Sequence, residues 1–184
     1  ERIRLALARG EKIAVFGDYD VDGITATCLL TGFLREMGAD CVPYIPSRLE
    51  EGYGLNPIAI HQLHSQGVKL IVTVDCGISG LHEVAQAPEG LDIIITDHHT
   101  VPVELPNAYA IINPKQEDCS YPFKDLSGVG VSFKLCQALE QRRTGNGDFW
   151  EELTELAALG TVADIVPLLG ENREIVRRGL KAMG

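Results

Sequence analysis

The chain has 184 residues, 45% hydrophobic and 23% charged, which is typical of a folded globular protein and excludes a disordered one. Its formal net charge of −10 argues against a broad basic face that binds nucleic acid. Strong binding of a polyanion would therefore need local basic residues or parts of the protein outside this chain. No apolar stretch reaches the roughly 18 residues that cross a bilayer, and the start lacks signal-peptide features. Five scattered cysteines with no C-x-x-C pair predict free thiols and a cytoplasmic protein.

Strands and helices are predicted to alternate along residues 1–114. An amphipathic segment opens the chain, and later apolar runs predict strands at 12–16, 41–45, 69–74, 91–96 and 109–112. Helical patterns lie between them, at about 24–37, 56–67 and just after Ser79. This alternation predicts an α/β fold, a three-layer Rossmann-like parallel sheet with flanking helices.

Residues 115–184 predict only helices and loops. A polar loop at 115–127 precedes predicted helices at 129–142, 148–159 and 171–183. We expect this part to be a C-terminal helical extension of the same domain. Its last helix has no obvious packing partner in the sequence and is expected to lead to another domain.

Ionisable residues follow three of the predicted strands. They are Asp18, Asp20 and Asp22 after the first strand, Asp75 after the third, and Asp97, His98 and His99 after the fourth. The carboxyl ends of parallel strands meet at one edge, which is where open α/β sheets bind ligands. Because carboxylates so close together repel one another unless cations lie among them, the pattern predicts a metal site.

The acidic residues differ in how specific their signals are. Asp18, Asp20 and Asp22 alternate, which would place their carboxylates on one side of an extended segment. A helix cap needs only one of them, so three favour a metal. Asp75 fits an N-cap or a ligand equally well, and Asp164, inside an apolar stretch, leaves the same two alternatives open.

The adjacent histidines are expected to have different tasks, because neighbouring side chains diverge along an extended chain. One interpretation places His98 on a metal and His99 towards the substrate, with Asp97 orienting an imidazole.

Phosphate contacts are predicted at a glycine-containing turn, where Ser127, Gly128 and Gly130 enter a helix, and at Arg48 in a polar loop. No G-x-x-x-x-G-K-[ST] segment is present, which excludes P-loop nucleotide hydrolysis and indicates no nucleotide cofactor.

Four segments occur in the order of the four motifs of the DHH phosphoesterase superfamily. They are Asp20-x-Asp22-Gly23, Val74-Asp75-Cys76-Gly77, Asp97-His98-His99 and Gly160-Thr161-Val162-Ala163-Asp164. The flanking segments 15–23, 51–55 and 111–115 agree as well, so the chain resembles this superfamily over almost its whole length. The resemblance implies a phosphodiesterase with two Mn²⁺ ions, or Mg²⁺, that degrades single-stranded DNA from its 5′ end. It also implies a role in DNA repair and recombination, with partners such as single-strand-binding protein.

Carried over by position, the resemblance implies six metal ligands: Asp18, Asp20, Asp22, Asp75, His98 and Asp164. Asp75 would bridge the two ions, His99 would contact the scissile phosphate, and Arg48 with the 127–130 turn would hold a terminal or backbone phosphate. Pyrophosphatase relatives have a histidine where this chain has Phe16, which leaves Asp18 as its substitute. The second, DHH-associated domain and the oligonucleotide-binding domain of the family are not in this chain.

Two other functions stay open on the sequence alone. One is a DHH phosphodiesterase acting on short oligonucleotides or cyclic dinucleotides, because loops outside the metal site choose the substrate. The other is a non-catalytic replication scaffold that keeps the fold and loses ligands. Every ligand position is filled here, which ranks the scaffold last.

Overall fold

The computed structural model describes residues 1–47, 52, 54–146 and 153–184. The strands are β1 (Lys12–Phe16), β2 (Cys41–Tyr44), β3 (Val68–Thr73), β4 (Asp92–Thr96) and β5 (Ala110–Ile112). The helices are α1 (Arg2–Arg9), α2 (Val21–Glu36), α3 (Pro57–Ser65), α4 (Leu81–Ala85), α5 (Gly128–Thr144), α6 (Thr154–Ala163) and α7 (Gly170–Met183). No helix among the described residues is long and apolar enough to cross a membrane.

The five strands form one sheet in the order β2-β1-β3-β4-β5, with every neighbouring pair parallel. The chain winds outward from β1 in one direction and from β3 in the other, so the switch point lies between these two strands. Phe16 pairs with Thr73, and Thr73 with Ile95, so β1, β3 and β4 end level with one another. The loops that follow these strands therefore begin side by side.

Alternate residues of the central strands face two separate hydrophobic cores. Ile13 and Val15 pack into the larger core, which also takes residues from α1, α2, α5, α6 and α7. Ala14 and Phe16 pack into the smaller core with α3 and α4. A strand segment buried on both faces needs a continuous apolar sequence, as residues 13–16 of β1 and 70–72 of β3 have. The predicted three-layer α/β fold is thus confirmed.

Two helices differ from their predicted bounds by more than two residues. Helix α2 begins at Val21 and not near Ile24, because the Asp20 side chain accepts a hydrogen bond from the Gly23 N–H and caps it. Helix α6 continues beyond Leu159 to Ala163, since Gly160 is accommodated within it. Its predicted start at residue 148 lies outside the described residues.

The last helix, for which no packing partner was predicted, packs against α6. Ile175 and Val176 of α7 are buried, and Ile175 belongs to the larger core. At Gly179 the two helices are so close that a Cβ atom would lie 2.6 Å from the carbonyl oxygen of Thr154. The helical extension is therefore joined to the sheet through one continuous core.

A pair of glycine-to-alanine substitutions tests this packing. Gly179→Ala should lower the free energy of unfolding by about 1–3 kcal/mol, because the new methyl group overlaps α6. Gly32→Ala in α2 has nothing within 4 Å of its Cβ position, so better helix propensity should raise the free energy by about 0.5–1 kcal/mol. Urea unfolding measures both, and equal effects of the two substitutions would contradict the close α6–α7 contact.

Candidate metal centre

The loop after β1 and the first turn of α2 supply three carboxylates. Asp18 lies before the turn, Asp20 caps α2, and Asp22 is already in the first turn of the helix. Asp18 and Asp22 are buried, at 3% and 1% exposure, and Asp20 is exposed. Residues 18–22 are therefore not one extended segment, because the helix begins early, and Asp22 belongs to a different ligand group from Asp18 and Asp20.

Asp75 follows β3 in a conformation that non-glycine residues seldom adopt. Its φ is +60°, its exposure is 1%, and its Oδ1 atom has no hydrogen-bond partner among the described residues. It does not cap α4, whose N-cap is Gly80. Gly128 at the start of α5 leaves room for it, since a Cβ there would lie 2.6 Å from the Asp75 Cγ. Strain and an orphaned carboxylate oxygen together indicate a ligand rather than a cap.

Asp97, after β4, organises the two histidines. Its Oδ1 accepts hydrogen bonds from the backbone N–H groups of His98 (2.7 Å) and His99 (3.0 Å) and lies 2.7 Å from the His99 Nδ1. Its Oδ2 accepts from the Ile78 N–H at 2.9 Å. Burial alone would raise the pKa of Asp97, but these hydrogen bonds outweigh it and lower the pKa, so the group is an anion.

The His98 imidazole lies among carboxylates. Its Nε2 is 3.1 Å from the Asp75 Oδ1, 3.6 Å from the Asp164 Oδ2 and 3.9 Å from the Asp22 Oδ2. The 3.1 Å approach lacks hydrogen-bond geometry, and neither ring nitrogen has a hydrogen-bond partner among the described residues. Burial lowers the pKa of His98, which keeps the ring neutral despite the nearby carboxylates. A neutral imidazole with an unengaged nitrogen beside carboxylates is suited to a metal.

Asp164 is the last piece of the cluster, and it lies at the C-terminal end of α6. The sequence left an N-cap or a ligand open, and the structure excludes the N-cap. A carboxylate at a helix C-terminus is unfavourable because that end of the helix dipole is negative. The Asp164 Oδ2 is buried without a hydrogen-bond partner in the described part of the chain, so a cation would relieve both conditions.

Two groups of ligand atoms emerge, each with all atoms within 4.8 Å of one another. The first is Asp22, His98 and Asp164, and the second is Asp18, Asp20 and Asp75. Asp75 also forms a group with His98 and His99, so it lies between the other two. The donor set is oxygen-rich with one imidazole, which fits Mn²⁺ or Mg²⁺ better than zinc. Two adjacent divalent ions could be held here, with Asp75 between them.

Burial and the crowding of the carboxylates raise their pKa values. Burial, with the charge of Asp75 next in importance, raises the pKa of Asp22 to about 7. Burial and the charge of Asp20 raise the pKa of Asp75 to about 8. The pKa values of Asp18 and Asp164 are also raised, chiefly by burial. A metal-free centre therefore retains protons that bound cations would displace.

The turn at the start of α5 has a different role from the predicted one. The N–H groups of Gly128 and Val129 donate to the Asp22 carboxylate at 2.6 and 2.8 Å, and the Gly130 N–H donates to the Ser127 Oγ at 3.2 Å. The helix N-terminus thus binds the protein's own carboxylate. We therefore do not propose Ser127, Gly128 or Gly130 as phosphate contacts. Arg48, the other predicted contact, lies outside the described residues.

Sequence reasoning assigned no role to Asn113, which the structure places at the edge of this centre. Its Nδ2 donates to the carbonyl oxygen of His99 at 3.0 Å, and its side chain is 1% exposed. The position of Asn113 directly after a predicted strand could have indicated that it lies beside the loop that carries the histidines. Cys76, the residue after Asp75, is fully buried in the smaller core.

The raised carboxyl pKa values predict how the metal-free protein responds to pH. Between pH 6.5 and 8.5 the folded state loses protons from Asp22 and Asp75 (pKa about 7 and about 8), whereas the unfolded chain has already lost them. The free energy of unfolding should therefore fall as pH rises, by at most about 1.4 kcal/mol per pH unit for each proton. Urea unfolding in a chelator measures this, and a flat or rising profile would contradict it.

Mn²⁺ should reverse that trend, because binding needs ionised carboxylates. The gain in unfolding free energy on adding Mn²⁺ is expected to be larger at pH 8.5 than at pH 6.5. The same gain at both values would show that the metal does not compete with these protons.

The chain is similar to known nucleases over its full length. It is 48% identical over 184 residues to the single-stranded-DNA-specific exonuclease RecJ of Bacillus subtilis, covering 100% of this chain and 23% of that protein. It is 45% identical over 186 residues to the exonuclease of the same name from Escherichia coli, covering 95% of this chain and 32% of that one. The chain spans 23–33% of the length of the curated relatives it matches.

Solved structures agree with the sequence relatives. A crystal structure of exonuclease RecJ bound to manganese superposes with a TM-score of 0.87 at 40% identity, covering 98% of this chain and 46% of that one. The sequence also matches the family described as DHH family, N-terminal domain, over residues 12–161. This chain therefore belongs to the DHH family.

Proposed function

We propose that this chain forms the catalytic core of a divalent-metal-dependent exonuclease that degrades single-stranded DNA in the 5′ to 3′ direction, in DNA repair and recombination. The observation that carries the proposal is the pair of adjacent ligand groups, of which the second contains Asp75, whose Oδ1 lies 3.1 Å from the His98 Nε2 of the first. The substrate class is supported by similarity, at 41–48% identity, to proteins named as exonucleases specific for single-stranded DNA.

The cofactor in this proposal is a pair of Mn²⁺ or Mg²⁺ ions. Asp22, His98 and Asp164 would hold one ion, Asp18 and Asp20 the other, and Asp75 both. RecJ structures in complex with Mn²⁺ and with Mg²⁺ support the choice of ions. Such ions supply Lewis acidity to phosphate oxygens and lower the pKa of bound water.

The protein's own residues orient the metal ligands and contact the substrate. Asp22 is fixed by two backbone N–H groups, so it presents its carboxylate to the cluster in one orientation. His99 is 44% exposed at its side chain, unlike His98 at 7%, so it is the imidazole that a substrate can reach. The hydrogen bond to Asp97 raises the pKa of His99 to about 9. A protonated His99 would donate a hydrogen bond to the scissile phosphate and stabilise its negative charge.

Electrostatics support a strict requirement for metal. Without cations, an acidic cluster in a chain of net charge −10 repels a phosphate backbone. Divalent ions turn the same cluster into a phosphate-binding site, so binding of the substrate and chemistry would depend on the same ions. If the wild-type protein does not bind Mn²⁺ in the titration described below, the non-catalytic scaffold is favoured instead.

We further propose that the protein acts in the cytoplasm beside other replication or repair proteins, such as single-strand-binding protein. The structure has all five cysteines free, which supports a reducing compartment. Single-stranded DNA, the proposed substrate, is also what such partner proteins bind.

Removing the shared ligand tests the metal centre. Asp75→Asn should keep the fold, since asparagine tolerates a φ of +60°. It should lower Mn²⁺ affinity and hydrolysis of single-stranded DNA by at least about 10–100-fold, because both ions lose a charged ligand. Calorimetric titration with Mn²⁺ and a labelled-oligonucleotide assay measure the two effects. Asp118→Asn, on an exposed loop, is the control and should match wild type.

Wild-type heats of Mn²⁺ binding in Asp75→Asn would exclude the shared site. Absence of any such heat in the wild-type protein would favour the scaffold.

Polarity and substrate class need a separate experiment. With Mn²⁺, a strand labelled at its 5′ end should release its label at once as a short product, whereas a strand labelled at its 3′ end should shorten progressively. The reverse pattern would exclude 5′ to 3′ digestion. Faster turnover of cyclic dinucleotides or very short oligonucleotides than of long strands would establish the other phosphodiesterase function instead.

A further inference from the structure

Asn113 is a buried amide at the rim of the metal centre. It follows β5 directly, and both ends of its side chain are engaged. The Nδ2 donates to the carbonyl oxygen of His99 at 3.0 Å, and the Oδ1 accepts from the Lys115 N–H at 2.9 Å. A buried amide that spans two loops in this way fixes them relative to each other.

The local sequence holds Asn113 itself in place. Pro114 restricts the residue before it to an extended conformation, which presets the direction of the Asn113 side chain. One residue earlier, the carbonyl oxygen of Ile112 accepts the Asp97 N–H at 3.0 Å and extends the β4–β5 pairing. The Asn113 carbonyl oxygen accepts the Gln116 Nε2 at 3.2 Å. The amide is therefore a rigid point beside the histidine loop.

His99 is consequently held from two sides. Asp97 binds its ring at Nδ1 and its backbone N–H, and Asn113 binds its backbone carbonyl. Asp97 fixes the ring and the N–H of His99 relative to its own loop, and Asn113 adds a contact to the carbonyl oxygen on the other side of the residue. With Asn113 in place, ring and main chain are fixed together, which sets where the imidazole meets a phosphate.

We propose that Asn113 is a positioning residue for His99: it fixes the main chain of the histidine while Asp97 fixes the ring. This inference rests on the proposed function, because it assigns His99 to the scissile phosphate. Both ends of the Asn113 side chain are hydrogen-bonded within the protein, so we do not count it among the metal ligands. Its loss should therefore affect the rate of hydrolysis and leave metal binding as it is.

Asn113→Asp separates the two ends of the side chain. The carboxylate keeps an acceptor for the Lys115 N–H but faces the His99 carbonyl with an acceptor in place of a donor. With Mn²⁺ and single-stranded DNA, kcat and kcat/KM should both fall about 10–100-fold, since the lost interaction serves the transition state. Calorimetric Mn²⁺ affinity should equal wild type. Asn113→Ser, which shortens the side chain, has the same expected result and replaces the aspartate variant if that does not fold.

A double-mutant cycle with His99→Ala distinguishes positioning from a general structural role. If Asn113 acts through His99, the double variant Asn113→Asp/His99→Ala should be no slower than His99→Ala alone. If the two losses multiply, Asn113 acts in another way and the proposal is overturned.

Asn172→Asp is the matched control. Asn172 is also a buried asparagine whose Nδ2 donates to backbone carbonyls, those of Asp125 (2.6 Å) and Pro167 (3.0 Å), and neither hydrogen bond is to the histidine loop. It should lower the melting temperature with the same small effect on kcat in wild-type and His99→Ala backgrounds.

The cycle also separates failure of this inference from failure of the proposed function. A wild-type protein without Mn²⁺-dependent hydrolysis, or a His99→Ala variant as fast as wild type, would overturn the assignment of His99 and the inference with it. A slow His99→Ala beside a wild-type Asn113→Asp would overturn only the positioning role.

Discussion

The repulsion among buried carboxylates at one edge of a parallel sheet is the constraint on which the rest of the structure depends. Asp18, Asp22 and Asp75 are almost completely buried, and Asp22 lies close to Asp164. Burial of charge without compensation is among the most costly features a fold can carry. The structure compensates in part with the backbone amides of α5 on Asp22, and it leaves the remaining charge for cations.

The surrounding architecture can be understood as support for that arrangement. Strands β1, β3 and β4 end level, so residues far apart in sequence arrive at the same place. Gly128 gives α5 the clearance to approach Asp75, and Asp97 uses both its oxygens to set the histidine loop. The free energy gained by burying the two apolar cores offsets the repulsion among the carboxylates of the centre.

Much of this could be predicted from the sequence, because it depends on local patterns. Apolar runs such as 69–74 located the strands, and the residues directly after them located the centre. The sequence could not give long-range pairings: the α5 amides on Asp22 and the Asn113 contact with His99 join residues that only the folded sheet brings together. The start of α2 was also not predicted correctly, because Asp20 caps this helix in addition to being a candidate metal ligand.

The position of Asp164 at the end of α6 has a consequence for the order of events in biosynthesis. The groups contributed by β1, β3 and β4 precede it in the chain, and α6 can present its carboxylate only after docking on α2 and α5. A nascent polypeptide emerging from the ribosome therefore lacks a complete ion-binding pocket until its late helices have assembled. The candidate pocket would then be completed only after the sheet that carries its other side chains has folded.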